Sequence, residues 1–375
     1  MKQFLFLLFL VLPTLLNAQI PREIIPEGVG VNIHFVKGHG KDLDMIAAAG
    51  FKFVRMDFSW EAIEHQKGEY NFSDYDELTA NLRKRGLSAI YILDYVNGLY
   101  EDKAASTNPI TKLPEFHTVS PQHPESIAAF ARWAAAASVH FRGQPIIWEI
   151  YNEPNIFFWK PKPDAQQYTA LALATSKAIR AANKDAVVIG PASSQMPFDF
   201  LETFLHSGVL EFIDGVSVHP YRGKAPETVE ADYERLRKLI DECAPQNKKG
   251  KIPIISGEWG YSSNTKGVFE EKQAAYAIRQ QFFNLSQHVP LSIWYDWKND
   301  GPDPGENEHN FGTVTTELKP KPAYLAFQNF TRELSGFQIV EKLETKNDDF
   351  IFLCKNNSAQ KNMHFGPRPN RIKLL

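Results

Sequence analysis

Short apolar runs recur between residues 28 and 334, and each ends in polar residues before an amphipathic stretch begins. The eight runs are GVGVNIHF (28–35), FKFVRMDF (51–58), GLSAIYILDY (86–95), IIWEIYNE (146–153), AVVIGPA (186–192), FIDGVSVHPY (212–221), IPIISGEWG (252–260) and LSIWYDW (291–297). Continuous apolar runs of this length are typical of strands that are buried on both faces, as in a parallel sheet. The pattern therefore predicts eight buried strands.

Helical periodicity fills the intervals between these runs. Tyr75, Leu78 and Leu82 keep an i, i+3, i+7 spacing, and Tyr233, Leu236 and Ile240 keep the same kind of spacing. Segments 125–141, 164–183 and 321–334 are further helix candidates. Strands that alternate with helices over about 300 residues predict an α/β protein with a (β/α)8 TIM barrel. A doubly wound sheet is the alternative, but no glycine-rich phosphate loop follows the first strand.

The barrel pattern lies between residues 28 and 334, and we assign residues 19–335 to one barrel domain. Residues 336–375 do not continue it: segment 337–356 predicts two strands, and segment 358–375 shows no clear periodicity. Because two strands rarely stand alone in water, we expect a short β extension with an irregular tail. The extension either packs on the barrel or begins a β-domain that this chain does not complete.

The first 18 residues have the layout of a secretory signal peptide, with one lysine, a short apolar run and a small residue at Ala18. The run is short for a membrane span, so we expect an exported protein, secreted or periplasmic, without a membrane anchor after signal removal. Cys243 and Cys354 are the only cysteines, too few for a disulfide framework or a cysteine metal cluster. Whether they pair is open, with two free thiols as the simpler expectation.

Composition limits the classes of partner. A net charge of -3 and a pI near 6.4 provide no basic surface for nucleic acid. Aromatic residues make up 13% of the chain, which suits stacking against flat ligands, although core packing accounts for most aromatic residues in any protein. No feature of the sequence predicts a cofactor or an oligomeric state.

Polar residues end nearly every predicted strand. They are His34 after strand one, Arg55 and Asp57 on strand two, Asp94 and Tyr95 on strand three, Asn152 and Glu153 on strand four, His219 and Tyr221 on strand six, Glu258 on strand seven, and Trp294, Asp296 and Trp297 on strand eight. In a parallel barrel the carboxyl ends of the strands carry the active site. These side chains should therefore meet around one opening.

Glu153 and Glu258 would then face each other on one rim. Paired carboxyl groups suit the cleavage of a glycosidic bond, in which one group protonates the leaving oxygen and the other attacks the anomeric carbon. Arg55, if it reaches Glu258, would keep that carboxylate ionised, and Tyr221 could donate a hydrogen bond to it. Glu153, without a cationic partner, would hold its proton and act as the general acid.

Each of these residues also has a purely structural interpretation. Glu153 alone could cap a helix or form a surface ion pair, and Arg55 alone could be half of a structural salt bridge. His219 could be a hydrogen-bonded core histidine, and Trp294 and Trp297 could be packing residues. Their placement at the same ends of consecutive strands is what favours the functional interpretation.

Four motifs together resemble a known group of proteins. NEP (152–154), GEWG (257–260), VRMDFSW (54–60) and SVHPY (217–221) resemble, in order and spacing, the clan A retaining glycoside hydrolases, most closely the cellulase-like family 5 and family 39. The resemblance covers about residues 28–334. It implies a (β/α)8 barrel and a carbohydrate substrate, with neither a cofactor nor a metal.

The resemblance also implies roles for individual residues. Glu153 is similar to the acid/base and Glu258 to the nucleophile, whereas Asn152 is similar to the asparagine that holds a sugar hydroxyl. Arg55 and Tyr221 resemble the groups that orient the nucleophile. The remaining implied positions are His219 in the same pocket, an aromatic floor at Trp297 or Trp294, with Trp297 favoured, His34 near the non-reducing end of the sugar, and Asp94 where family 5 members often have a histidine.

Two other functions stay open. One is a non-catalytic carbohydrate-binding barrel that has kept the cleft, although both glutamates and their supporting residues are present. The other is a metal-dependent barrel hydrolase, although no His-x-His pair ends the first strand. The glycan, its linkage and the endo or exo mode of action are not predicted. The rim segments 97–124 and 298–312 are expected to determine them.

Overall fold

A computed structural model describes residues 19–107, 112–343, 350–365 and 372–374. The predicted signal peptide at residues 1–18 lies outside the described residues. In chain order the strands are β1 (Val29–Asn32), β2 (Phe53–Ser59), β3 (Ser88–Asp94), β4 (Lys103–Thr107), β5 (Pro114–Thr118), β6 (Ile146–Ile150), β7 (Val187–Ser194), β8 (Gly215–His219), β9 (Ile254–Trp259), β10 (Ser292–Trp294), β11 (Gln338–Leu343), β12 (Phe350–Lys355), β13 (Gln360–Phe365) and β14 (Ile372–Leu374).

Eight of these strands form one closed barrel in the order β1-β10-β9-β8-β7-β6-β3-β2. Every neighbouring pair is parallel, and β1 closes the sheet by pairing with both β2 and β10. Each barrel strand coincides with one of the eight predicted apolar runs. The predicted (β/α)8 fold is therefore confirmed.

Helices follow the barrel strands. They are α1 (Gly40–Ala48), α2 (Trp60–Ile63), α3 (Ser73–Arg83), α4 (Pro124–His140), α5 (Ala165–Ala182), α6 (Phe198–Leu205), α7 (Glu230–Cys243), α8 (Glu270–Ser286) and α9 (Pro322–Glu333). Local sequence explains several of their starts: the Asp164 carboxylate accepts hydrogen bonds from the amides of Gln166 and Gln167, and Pro124 and Pro322 occupy first-turn positions. No helix among the described residues is long and apolar enough to cross a membrane.

Two apolar cores lie on opposite faces of the barrel sheet. The larger one fills the space between the strands and the helices, and it contains the predicted Tyr75, Leu78 and Leu82 face of α3. The smaller one consists of strand residues and their neighbours: Phe53, Ile90, Ile147, Val187, Ile189, Ile255, Leu291 and Ile293. Because side chains alternate along a strand, this second set fills the barrel interior beneath the carboxyl ends.

Two β elements differ from the prediction. β4 and β5 form an antiparallel pair within segment 97–124, where no strands were predicted. The chain end was predicted as two strands and an irregular tail, but β11 to β14 form a four-stranded antiparallel sheet. Because the sheet packs on α8, with the Phe352 ring 5.5 Å from Phe282 and 5.3 Å from Phe283, it does not stand alone in water. Tertiary contacts with α8 rather than local periodicity stabilise this C-terminal sheet.

The cysteines do not pair with each other. Cys243 and Cys354 are both free thiols, and Cys354 is buried in the C-terminal sheet. Burial raises the pKa of the Cys354 thiol to about 12, so it stays protonated near neutral pH. The simpler of the two open alternatives is therefore the observed one.

Candidate active site

The site is built on the two-residue period of the barrel strands. On β2, Phe53 belongs to the interior core, Arg55 lies one layer above it, and Asp57 reaches the cleft at the rim. On β6, Ile147 and Glu149 follow the same alternation. The apolar barrel interior therefore ends in a polar layer directly beneath the opening.

Arg55 is the centre of that polar layer. It is 1% exposed, its Nε donates to Glu149 Oε2 at 2.6 Å, and its Nη1 donates to Glu258 Oε2 at 2.6 Å. Burial opposes its charge, but the attraction of the two carboxylates outweighs burial and raises the pKa of Arg55 above its ordinary value. The predicted contact between Arg55 and Glu258 is confirmed.

Glu149 is a buried partner that the sequence analysis missed. Its second carboxylate oxygen accepts a hydrogen bond from Ser217 on β8. Gly257 makes this contact possible, since a Cβ there would lie 2.3 Å from the Ser217 hydroxyl and 3.0 Å from Glu149 Oε1. A lone glutamate inside an apolar strand was the available signal, because a buried charge needs a partner.

The second guanidinium edge of Arg55 orients two more residues. Its Nη2 donates to Asn152 Oδ1 at 2.7 Å and lies 3.3 Å from His219 Nε2. Since the guanidinium can only donate, a hydrogen bond at this distance requires His219 Nε2 to accept, which leaves Nδ1 as the donor of the ring. Asn152, whose side-chain oxygen is held by Arg55, lines the cleft.

His219 connects this network to Glu153. Its Nδ1 lies 2.9 Å from Glu153 Oε1, so the ring donates to one carboxylate oxygen and leaves the other available. His219 is fully buried and does not line the cleft, contrary to the prediction that it shares the pocket. It lies beneath Glu153 and acts on the opening only through that side chain.

Glu258 has a partner on each carboxylate oxygen. Oε2 accepts from Arg55, and Oε1 accepts from the Tyr221 hydroxyl at 2.8 Å, as predicted. Burial, and then the Glu258 charge, raise the pKa of Tyr221 well above its ordinary value, so the phenol keeps its proton and donates. A carboxylate oxygen of Glu258 lies within 4.8 Å of one of Glu153.

The two glutamates open into a cleft of about 610 Å³, a volume typical of small-molecule sites. Of the predicted site residues, six line it: His34, Arg55, Asn152, Glu153, Tyr221 and Glu258. The rim segment 298–312 contributes as expected, through Asn307, Glu308 and Phe311. Among its described residues, segment 97–124 contributes none of the lining.

The predicted tryptophan floor is wrong. Trp294 and Trp297 are 0% and 1% exposed and point away from the cleft, 6.0 Å from Phe327 and 6.1 Å from Tyr324 on α9. Both rings pack in the apolar core between the barrel strands and α9, because burial there removes their large apolar surface from water. Tyr295, which lies between them in sequence, lines the cleft instead.

Asp94 also lies outside the cleft lining. It is fully buried, and burial, followed by the charge of neighbouring Asp57, raises its pKa well above the ordinary value. Among the described residues no donor pairs with either Asp94 carboxyl oxygen, so burial favours the protonated form of this side chain. Near the end of β3, the cleft is lined by Asp57 and Tyr95 instead of the predicted Asp94.

His34 stands at the rim next to Asp296 and Tyr295. Its Nε2 lies 3.4 Å from Asp296 Oδ2, and its ring meets that of Tyr295 edge-on at 5.6 Å. Burial disfavours the imidazolium, but the hydrogen bond and charge of Asp296 outweigh this and raise the pKa of His34 to about 9. His34 thus places an imidazole, paired with Asp296, at the mouth of the cleft.

One group of potential metal ligands coincides with the glutamate pair. Ligand atoms of Glu153, His219 and Glu258 lie within 4.8 Å of one another. Both His219 nitrogens already face hydrogen-bond partners, and the Arg55 guanidinium lies within 3.3 Å of this histidine and 2.6 Å of Glu258. Because that cation repels a second one, the donor set does not fit a metal ion.

Comparisons with known proteins agree with this geometry. The chain is 24% identical over 237 residues to a β-xylosidase of Caldicellulosiruptor saccharolyticus, covering 56% of this chain and 46% of that protein. It is 25% identical over 336 residues to a β-xylosidase of Geobacillus stearothermophilus, covering 82% and 63%. The chain thus spans about half to two thirds of the length of these relatives.

Solved structures and a family model complete the comparison. A family 39 glycoside hydrolase from Bacteroides cellulosilyticus WH2 shares the fold with a TM-score of 0.76 and 24% identity, covering 92% of this chain and 71% of that one. The resemblance to families 5 and 39 is confirmed. Residues 27–301 match the family model described as cellulase, glycosyl hydrolase family 5. Since this match spans well over half of the chain, the protein belongs to the cellulase family of glycoside hydrolases, glycosyl hydrolase family 5.

Proposed function

We propose that this protein is a retaining glycosidase that hydrolyses O-glycosidic bonds by double displacement, with Glu258 as nucleophile and Glu153 as acid/base. The observation that carries the proposal is the approach of the two carboxylates within 4.8 Å at the cleft. Retaining enzymes place their carboxyl groups about 5 to 5.5 Å apart, whereas inverting enzymes leave about 6.5 to 9.5 Å for a water molecule.

The partners of the two glutamates support different roles for them. Glu258 accepts from the Arg55 cation and from the Tyr221 hydroxyl, which favours an ionised carboxylate held in one orientation. Glu153 contacts the His219 imidazole through one oxygen and keeps the other available for a proton. An ionised nucleophile beside a carboxyl that can carry a proton is the arrangement needed for the first step.

In that step a Glu258 oxygen bonds to the anomeric carbon while the bond from this carbon to the glycosidic oxygen breaks. The proton of Glu153 moves to the departing oxygen, which leaves as a hydroxyl. In the second step the Glu153 carboxylate takes a proton from water as the water oxygen attacks the same carbon and the bond to Glu258 breaks. Both side chains return to their starting protonation states.

The substrate we propose is a β-xyloside in a xylan-derived oligosaccharide. Both curated relatives are β-xylosidases, which supports this choice over other sugars. Asn152 would donate its amide hydrogens to a hydroxyl of the reacting sugar, while Tyr295 would lie against a face of the ring. His34, at the rim, would meet the non-reducing end.

A panel of 4-nitrophenyl glycosides, with xylo-oligosaccharides and other plant and microbial glycans, tests the proposal. We expect release of 4-nitrophenol from the β-xyloside by the wild-type protein and none by Glu258→Ala. Sodium azide should restore turnover of the variant and yield a glycosyl azide of inverted configuration. Glycan binding without cleavage of any panel member would instead favour the carbohydrate-binding barrel.

We also propose that the protein is exported and that processing occurs near Gln19. The support is the layout of residues 1–18. Amino-terminal sequencing of the protein recovered from culture medium or periplasm should begin near Gln19. A full-length amino terminus in the cytoplasm would contradict this.

A further inference from the structure

A second cavity branches from the cleft behind Tyr221. Its volume is about 480 Å³, and it shares Tyr221, Asn307 and Phe311 with the cleft. The Tyr221 hydroxyl lies 2.8 Å from Glu258 Oε1, so one side chain both lines the branch and contacts the proposed nucleophile. A substituent on a sugar bound in the cleft can therefore reach this cavity.

The lining of this branch carries one sign of charge. Arg222, Lys266 and Lys272 line it, and no aspartate or glutamate does. A further cavity of about 530 Å³ continues past Arg222 and adds Lys224 together with Asp232, the acidic partner of Arg222. Since the whole chain has a net charge of -3, this local cationic surface is not a reflection of overall composition.

Two of the three cations that line the branch, Arg222 and Lys272, are held in place, whereas the Lys266 side chain is exposed. Arg222 donates to Asp232 at 3.0 Å and lies over the Trp259 ring at 5.6 Å, which keeps its guanidinium between the branch and the barrel wall. Lys272, in the first turn of α8, has its ammonium 5.1 Å from the centre of the Tyr276 ring. Both side chains are partly buried, so less of their charge is screened than on an open surface.

The loop that carries Lys266 is tied to the cleft. The Asn264 side-chain oxygen accepts from the Lys266 amide at 2.9 Å, and its side-chain nitrogen donates to Asn307 Oδ1 at 3.0 Å. Asn307 lines both the branch and the cleft. Lys266 therefore belongs to a loop whose position is coupled to the substrate opening.

The acidic groups nearest in sequence do not neutralise this surface. Glu270 and Glu271 do not line the branch, and Glu270 lies 3.8 Å from Lys321. Asp232 offsets one charge by pairing with Arg222, and Lys266 and Lys272 remain to act on a ligand. A cavity of this kind raises the local concentration of anions.

We infer that the branch is a subsite for an acidic group on the glycan, a carboxylate of a uronic acid or a sulfate ester, contacted by Lys266 and Lys272 beside Arg222. This inference rests on the proposed function, because it names the substrate class of the same cleft. The preferred substrate is then an oligosaccharide with an acidic substituent next to the cleaved bond, and neutral oligosaccharides bind more weakly.

Binding to paired glycans tests the inference separately from cleavage. The probes are plant and microbial oligosaccharides, each in a neutral, a uronate-bearing and a sulfate-bearing version, and affinity is measured by calorimetry with Glu258→Gln so that no probe is hydrolysed. We expect the acidic versions to bind about tenfold more tightly than the neutral ones at low salt, because Lys266 and Lys272 would each add one ion pair of ordinary strength. The comparison of uronate with sulfate identifies the acidic group.

The double variant Lys266→Ala/Lys272→Ala should lose this preference while binding neutral probes as before. Lys184→Ala/Lys249→Ala is the matched control, because it removes the same charge at exposed positions in the loops before β7 and β9, at the opposite end of the barrel. Equal affinity for acidic and neutral probes, including no affinity for either, overturns the inference. So does a preference that survives in the double variant. A protein that prefers acidic probes but cleaves no glycoside would refute the proposed function and not the subsite.

Discussion

Arg55 Nη1 donates to Glu258 Oε2 at 2.6 Å, and the same guanidinium donates through Nη2 to Asn152 at 2.7 Å. One buried cation thus orients the proposed nucleophile and the amide proposed to hold the reacting sugar. Both contacts depend on the planar fork of the guanidinium, which an ammonium group does not reproduce.

Arg55→Lys should therefore lose activity although it keeps the charge. We expect kcat to fall about 100-fold, as when one preorganised charge-stabilising group is removed from an active site. The thermal midpoint should fall as well, because Glu149 and Glu258 cannot both be paired by one lysine. Steady-state kinetics and thermal unfolding, with exposed Arg83→Lys as control, check this. A kcat within about threefold of wild type would contradict the role given to Arg55.

Glu153→Gln should slow glycosides with poor leaving groups most. Loss of a general acid typically costs about 100- to 10,000-fold, but a leaving group that departs without a proton needs no acid. We expect the loss in kcat/KM to be large for an oligosaccharide and small for a 2,4-dinitrophenyl glycoside. Glu234→Gln, at an exposed position on α7, is the control. Equal losses on both substrates would refute the assignment of Glu153 as the acid.

Substitutions of Tyr295 and Trp297 should affect different properties, substrate binding for Tyr295 and folding stability for Trp297. Tyr295→Ala should lower kcat/KM about 10- to 100-fold, the loss expected when one aromatic face no longer covers a ligand. Trp297→Ala should cost about 3–5 kcal/mol of unfolding free energy, because it removes a large buried ring whose Nε1 donates to Asp42 at 3.0 Å. Kinetics and chemical denaturation of both variants decide the matter. If Tyr295→Ala kept full activity, Tyr295 would not be the floor.

Asp94→Asn should become more stable than wild type as the pH rises. The folded-state pKa of Asp94 is raised above its unfolded value of about 3.9, so its contribution to stability is complete below that pH and is lost as the pH rises towards the folded-state pKa. Asparagine does not ionise, so the variant loses no stability from this position as the pH rises. The difference in thermal midpoint between variant and wild type should therefore grow from pH 4 to neutral pH, by more than the change for the exposed control Asp185→Asn. A difference independent of pH would show that Asp94 ionises normally.

The barrel could be predicted from the sequence because its strands are buried on both faces. Runs such as residues 146–153 and 252–260 keep an apolar signal that needs no tertiary information, and their polar ends coincide with the rim. The pairs β4–β5 and β13–β14 carry no such signal, because their strands are short and are not continuous apolar runs buried on both faces.

The site was predicted least well where side-chain direction decides function. Arg55, Tyr221 and the two glutamates meet as their positions at the strand ends indicated. Which ring at the end of β10 lines the cleft depends on local backbone direction, which composition does not encode, so Tyr295 was missed in favour of Trp297. Asp94 and Asp57 differ in the same way: both lie near one rim, but only Asp57 faces the opening.

The stereochemistry of hydrolysis tests the central claim most directly. Proton NMR of the wild-type reaction on a β-xyloside, or on whichever glycoside the panel identifies, shows the anomeric configuration of the sugar before it equilibrates in water. Double displacement between Glu258 and Glu153 predicts that the first-formed sugar keeps the configuration of the substrate. A first-formed sugar of inverted configuration would contradict the account.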